Sequence, residues 1–209
     1  MARNYAPVCR YCRREGLKLM LKGVRCETAK CPIEKEYRNK PPGMHAWRRG
    51  KTSEYGVRLR EKQKVKRYYG LLENQFQRFF AMALKGTDNT GVNLLQLLER
   101  RLDNVVFKAG LANSRRTARQ MVAHGHLHVN GRRVDRPGYL VRVGDAITVR
   151  GAERSQNYVK SQIGEDVRPP QAWLVTEFNK LTARVIALPQ REDVLLPVAE
   201  NLIVEFCSR

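Results

Sequence analysis

The chain has 209 residues, 42% of them hydrophobic, enough to bury a core as one large domain or two small ones. Its 40 Lys+Arg against 20 Asp+Glu give a net charge of +20, far beyond what solubility requires, and point to a polyanion as partner. No run of about 18 apolar residues is present to span a membrane, and the opening MARNYAPVCR lacks an apolar signal region, so a cytoplasmic location is the expectation.

The charge is partitioned. Residues 1–67 hold 20 Lys+Arg and 6 Asp+Glu, and residues 99–149 hold 10 and 4; residues 68–98 and 150–209 are each neutral. Two polyanion-contacting surfaces on neutral scaffolding fit that distribution. A uniformly soluble basic protein has no reason for it.

From the N-terminus, Cys9-x2-Cys12, then 13 intervening residues, then Cys26-x4-Cys31 carry four of the five cysteines. Thiolates at this spacing can close a tetrahedral S4 site, with zinc the first choice and an iron–sulfur cluster the alternative. A disulfide pair fits poorly with a cytosolic chain. With every ligand position filled by a thiolate, the metal would be structural. It would contribute about 10 kcal/mol or more to folding a segment too basic and short for its own core. Cys207 is left over and reads as a small buried apolar residue.

Residues 32–53 hold Pro32, Pro41, Pro42, Gly43 and Gly50 and read as extended chain or loop. Arg48, Arg49 and Lys51 are candidate phosphate contacts there. Trp47 is expected to pack on the protein, although a stacking role for it is also open. Thr52 or Ser53 can cap a helix running to about Arg67. Arg58, Lys62 and Lys66 line one side of it, and Arg60, Lys64 and Arg67 another. Tyr55, Leu59 and Val65 leave only a thin apolar stripe, so the helix is expected to meet nucleic acid from several directions. Residues 71–89 read as a further helix burying Leu72, Phe76, Phe79, Phe80 and Leu84, broken at Thr87–Gly91.

Leu94, Leu98, Leu102 and Val105 recur at helical spacing, with Gly110 as the stop. Ser114 is an N-cap candidate for a second helix. Ala118, Met121 and Val122 make its apolar side; Arg115, Arg116 and Arg119 are expected on the other, with Gly125 just past its end. The period then changes to two. Leu127 and Val129 alternate with His126 and His128, Asn130-Gly131 supplies a hairpin turn, and Arg132 and Arg133 leave it beside the helix arginines. Val141 and Val143, Gly144-Asp145, then Ile147 and Val149 read as another hairpin. Residues 150–170 read as loop plus one short helix. Residues 173–175 and 182–188 alternate as strands, 189–193 turn the chain, and Pro197 to Phe206 close it as an apolar helix or strand.

The run S-R-R-x-A-R-x-x-V-x-H-G-H-x-x-V-N-G from Ser114 to Gly131, with Gly144-Asp145, resembles the small RNA-binding module named after small-subunit ribosomal protein four. The resemblance to that bacterial-type family extends to the cysteine set, to P-P-G-M-H at Pro41–His45, to Tyr55–Gly70, to P-x-R-E-D at Pro189–Asp193 and to the terminal E-x-L-I-V-E-F-x-S-R. Pro137-Gly138-Tyr139 departs from the family's frequent Pro-Ser-Tyr without removing a charge.

The expected fold class is α+β. A mainly helical domain with an N-terminal metal knuckle would be followed by an α/β RNA-binding module with a small twisted antiparallel sheet. The expected division is 1–45 for the knuckle, 46–91 for the helical domain, completed by about 190–209, and 92–189 for the module with appended strands. The candidate RNA-binding set adds His124, His126 and Asn130 to Arg48, Arg49, Lys51, Arg58, Arg60, Lys62, Lys64, Lys66, Arg67, Arg115, Arg116, Arg119, Arg132 and Arg133. Replacing Arg115, Arg116 and Arg119 with alanine is expected to flatten the salt dependence of binding and barely change thermal stability.

The resemblance implies a structural constituent of the small ribosomal subunit, cytoplasmic, that binds small-subunit ribosomal RNA at a multi-helix junction. It implies early assembly, an influence on decoding accuracy, and ribosomal protein five and messenger RNA near the entry side as neighbours. An RNA-modifying enzyme carrying the same module is the alternative. Only about 60 residues follow residue 149, with no Gly-rich phosphate loop and no Cys/His nucleophile pair, so no enzymatic activity and no small-molecule substrate are expected. A DNA-binding zinc protein would need a recognition helix after the cysteines.

Overall fold

A computed structural model describes residues 6–46, 50–163 and 169–208. The chain forms two compact units, Met1–Leu94 with Leu196–Arg209, and Leu95–Leu195.

In the first unit, helix α1 (Cys9–Glu15) ends at Gly16 in left-handed backbone, and a 3-10 turn follows at Gly23–Cys26. Helix α2 (Glu54–Tyr68) starts where Ser53 accepts a hydrogen bond from the Gly56 N–H at 3.2 Å, satisfying a first-turn donor. Helix α3 (Glu73–Ala83) buries Phe76, Phe79, Phe80 and Ala83. Leu84 falls just past its end and is exposed, not buried as its spacing suggested. Helix α4 (Thr90–Glu99) spans the boundary between the units. The C-terminal helix of this unit (Glu200–Cys207) lies along α2, with Tyr55 and Phe206 ring centroids 5.3 Å apart and Arg58 Nε 2.6 Å from Glu205. Cys207 is half-buried at its end.

The second unit continues with helices α5 (Leu102–Lys108) and α6 (Arg115–Ala123) and strands β1 (Leu127–Val129), β2 (Arg132–Arg133) and β3 (Ala146–Val149). Helix α7 (Glu153–Ile163) and strands β4 (Leu174–Glu177) and β5 (Thr182–Val185) complete it, and the C-terminal helix of the first unit is thus α8. The five strands form an antiparallel sheet in the order β2-β1-β3-β5-β4. Val129 pairs with Ile147, and Ile147 with Ala183, so these face the same side and bury against α5, α6 and α7 residues such as Val106, Met121 and Val159. The opposite side carries Arg133, His128, Thr148 and Thr182, each pairing with the next across the strands.

Two elements differ from the sequence reading. The periodic run from Leu94 to Val105 is not one helix. It breaks at Arg100–Arg101, where Arg101 is extended (ψ 135°) and bridges Leu140. The Leu102 N–H donates to the Tyr139 carbonyl at 2.8 Å, and the Val141 N–H to the Arg100 carbonyl at 3.0 Å. The apolar period survives the break, so periodicity alone could not reveal it. Residues 141–143 likewise do not pair with 147–149. Both edges of β3 are already taken by β1 and β5, and Val141 bonds the α4–α5 break instead. Gly144-Asp145 still turns the chain, with Gly144 at φ 88°.

Candidate nucleic-acid interface

On the second unit, the interface candidates come from α6 and the β1–β2 hairpin. Ser114 caps α6 through the Thr117 N–H at 3.2 Å. Gly125 (φ 71°) ends it, and a Cβ there would stand 2.6 Å from Arg133 Nε. The missing side chain therefore lets the Arg133 guanidinium lie across the C-terminal end of α6, where the helix dipole favours a cation. Asn130 (φ 51°) and Gly131 (φ 77°) make the tight hairpin turn, and the hairpin carries exposed Arg132 and Arg133. Arg116 is exposed on α6.

The other two helix arginines are placed differently from the sequence expectation. Arg115 is buried; its Nε donates to Asn104 Oδ1 at 2.8 Å and its guanidinium covers the Phe107 ring at 4.6 Å. Arg119 Nη1 lies 3.6 Å from Asp103 Oδ2. Asp103 is also held by Arg101 through two parallel bonds of 3.1 and 2.6 Å, and Asn104 donates to Glu99 Oε2 at 2.6 Å. Arginine spacing could not show this, because the partners sit on the preceding helix. An unchanged thermal stability on removing all three arginines does not fit this geometry.

Asn130 is spent internally. Its amide donates to Asp145 Oδ1 at 2.8 Å and its oxygen accepts from the Ala146 N–H at 2.9 Å, tying the hairpin turn to the Gly144-Asp145 turn. His126 is half-buried, with Nδ1 3.0 Å from Ser155 Oγ and its ring 5.3 Å from Tyr158. Burial, with His124 and Arg150 adding, holds its pKa below the ordinary 6.5. His124 is exposed, 6.1 Å from His126 ring to ring.

On the first unit, the α2 cations meet carboxylates of α2 itself, of the start of α3 and of two distant segments. Arg58 pairs with Glu54 and Glu205, and Arg60 and Arg67 with Glu15, whose side chain is 1% exposed. Lys64 pairs with Glu61, and Lys62 and Lys66 share Glu73. Lys62 also sits 4.8 Å over the Phe206 ring and Arg67 4.9 Å over Tyr11. The thin apolar stripe thus belongs to a helix packed on several sides, with ion pairs as part of the packing. Lys51 is exposed just before it, and Arg48, Arg49 and Trp47 lie outside the described residues. Exposed Arg10, Lys22, Arg25, Lys30, Arg38 and Lys40 were not singled out from the sequence, although their charge was counted. Their one signal was the charge excess of the first block.

Cys9 and Cys12 lie on α1, Cys26 ends the 3-10 turn, and Cys31 follows in a loop; all four are free thiols and all but Cys9 are buried. Burial pushes Cys12 up to about 11; the Leu19 backbone N–H opposes this, and Cys26, Cys9 and Cys31 add to the rise. The four sulfurs are thus electrostatic neighbours, and Cys26 Sγ accepts from the Lys22 N–H at 3.3 Å. Among the described residues, however, no group of three or more His, Cys, Asp or Glu stands in an arrangement that could hold a metal ion. No described helix is long and apolar enough to cross a membrane.

Comparison with known proteins adds the lineage of both units. Residues 3–99 match the family described as ribosomal protein S4/S9 N-terminal domain, and residues 100–147 match the S4 domain. Over the full length of both chains, the sequence is 56% identical to small ribosomal subunit protein uS4 of Halothermothrix orenii and 54% identical to that of Acetivibrio thermocellus. It is 52% identical, again over both full lengths, to small ribosomal subunit protein uS4A of Symbiobacterium thermophilum.

Proposed function

The chain belongs to the small ribosomal subunit protein uS4 family, and we propose that it clamps folded small-subunit ribosomal RNA chiefly through Arg116, Arg132 and Arg133. As a member it is a non-enzymatic, RNA-binding structural constituent of the small ribosomal subunit and works within the ribosome. The observation that carries the proposal is that Arg116 near the start of α6, and Arg132 and Arg133 on the hairpin packed at its C-terminal end, are all exposed, with His128 paired to Arg133 across the strands.

The mechanism is positional. Guanidinium forks neutralise phosphates and release counterions. Recognition follows RNA shape, because the A-form major groove is too narrow for side chains. A protein that binds several RNA helices only in one arrangement stabilises that arrangement by linkage, which is how binding at a multi-helix junction would order assembly and influence decoding accuracy. The exposed cations of residues 6–46 would add a second contact. Exposed Val143, Val175, Ile186 and Leu188 support a protein neighbour at the β4–β5 end of the sheet, for which ribosomal protein five is our candidate. Messenger RNA near the entry side is the remaining partner suggested by the family resemblance.

We also propose that Cys9, Cys12, Cys26 and Cys31 close on a structural zinc ion, which would draw together thiols that, among the described residues, do not stand as a metal site. The donor chemistry fits, since three thiols are buried and two already accept backbone N–H groups. Bound there, the ion would cross-link α1 to the following loops and leave no open position for chemistry.

The test is binding of the purified chain to small-subunit ribosomal RNA and to duplex DNA of equal length across a salt series, with sedimentation against small subunits. A preference for the RNA with a steep salt slope, and co-sedimentation, is expected. Equal affinity for both polymers without co-sedimentation overturns the proposal.

A further inference from the structure

The run Ser114-Arg115-Arg116-x-x-Arg119 places three arginines within five residues of one helix, and charge counting treats them alike. The geometry does not. Arg116 is exposed, whereas Arg115 is buried to 8% exposure and Arg119 is half-buried. Both of the latter reach partners on α5. Arg115 Nε donates to Asn104 Oδ1 at 2.8 Å, and Asn104 in turn donates to Glu99 Oε2 at 2.6 Å and to the Glu99 carbonyl at 3.0 Å. Arg119 approaches Asp103, which Arg101 grips through two parallel bonds while its backbone bridges Leu140. Two chains of polar contacts therefore run from α6 through consecutive residues of α5, one to the end of α4 and one to the chain break that follows it.

We infer that Arg115 and Arg119 are positioning residues that fix α6 on α5, and that of the three helix arginines only Arg116 meets RNA phosphate. The division rests on the RNA-clamping reading given above and deepens it. An orientation error in α6 would misplace Arg116 relative to Arg132 and Arg133, since Arg133 lies across the C-terminal end of the same helix. Arg115 donates through Nε to Asn104 and lies over Phe107, and Arg119 stands 3.6 Å from the Asp103 carboxylate, so both guanidinium groups are directed into the unit. Lysine cannot replace Arg115 there, because an ammonium has neither the planar stack on Phe107 nor the Nε donor to Asn104.

The salt slope separates the two roles. Losing a phosphate contact lowers the slope of log K against log salt by about 0.9 or less, whereas misplacing an intact set weakens binding by a similar factor at every salt concentration. The experiment uses the full chain and in vitro transcribed small-subunit ribosomal RNA, at a temperature where circular dichroism confirms folding. Arg116→Ala is expected to lower the slope, with Arg116→Lys largely restoring it. Arg119→Ala and Arg115→Ala are expected to give lines displaced in parallel with wild type, and Arg115→Lys to give no recovery of affinity. Asn104→Ala, uncharged and 1% exposed, is expected to reproduce the Arg115→Ala displacement. If Arg115→Ala does not fold, the partly exposed Arg119 decides alone. A slope reduction at Arg119 or Arg115 equal to that of Arg116, recovered by lysine, overturns the division and leaves the RNA reading standing. Unchanged slopes for Arg116, Arg132 and Arg133 variants alike overturn the RNA reading instead.

Discussion

Asp103→Ala tests the polar brace inside the second unit. Arg101 is 1% exposed, and its charge is compensated by Asp103 through bonds of 3.1 and 2.6 Å, with Arg119 3.6 Å from the same carboxylate. Removing one partner of a buried pair strands the other charge, which costs about 3–5 kcal/mol. Stabilities of domains are about 5–15 kcal/mol, so the unit would lose a large share. For a unit of this size each kcal/mol moves the midpoint by roughly 4–8 °C, and the expected fall is about 12–40 °C. Urea and thermal unfolding of the full chain, followed by far-ultraviolet circular dichroism and by proteolysis of the 95–195 unit, provide the measurement. The double variant Arg101→Met/Asp103→Leu is expected to recover most of the loss, because buried pairs exchange with apolar residues at little net cost. A fall below about 1 kcal/mol for Asp103→Ala would refute the reasoning, since it would mean Arg101 reaches water without its partner.

Three further outcomes are expected. Lys62 and Lys66 hold the Glu73 carboxyl below its ordinary 4.5 even though burial works against ionisation, so its stabilisation is present above that pH and lost as pH falls through the folded-state value. Glu73→Gln should then cost about 1 kcal/mol at pH 7, limited by solvent screening, and progressively less as the pH falls below 4.5; a cost independent of pH in urea melts would contradict the pairing. Asn130→Ala removes both bonds tying the hairpin turn to Asp145 and Ala146 and should cost about 2–3 kcal/mol in urea melts without altering the salt slope for RNA; a reduced slope would make Asn130 an RNA contact. Stripping metal with a strong chelator should open residues 6–46 to protease and leave 99–149 resistant, and an unchanged cleavage pattern would remove the zinc assignment.

Much of the local structure was legible because its causes are local. Ser53 and Ser114 cap their helices through N–H groups three residues on, and Asn130-Gly131 turns the hairpin with its own positive φ values. What stayed hidden is nonlocal. The break at Arg101 exists because Leu140 and its neighbours accept the backbone groups that the helix gives up. The ion pairs of α2 could not be read from its charges because Glu15 and Glu205 are remote in sequence; the Arg58–Glu205 pair is separated by 147 positions. The same limit applies to Arg115, whose burial depends on Asn104 and Phe107 across the helix pair. A charge count locates a basic segment, and packing decides which of its cations remain available to a polyanion.

The RNA clamp is tested most directly by the triple variant Arg116→Ala/Arg132→Ala/Arg133→Ala, measured against wild type for both its salt slope on small-subunit ribosomal RNA and its thermal midpoint. The expected result is a slope lowered by roughly 2 to 2.7, at 0.9 or less per lost phosphate, with the midpoint within about 8 °C of wild type, because all three residues are exposed and Arg133 adds only its charge interaction with the end of α6. An unchanged slope, or a collapsed midpoint with RNA affinity retained, would contradict it.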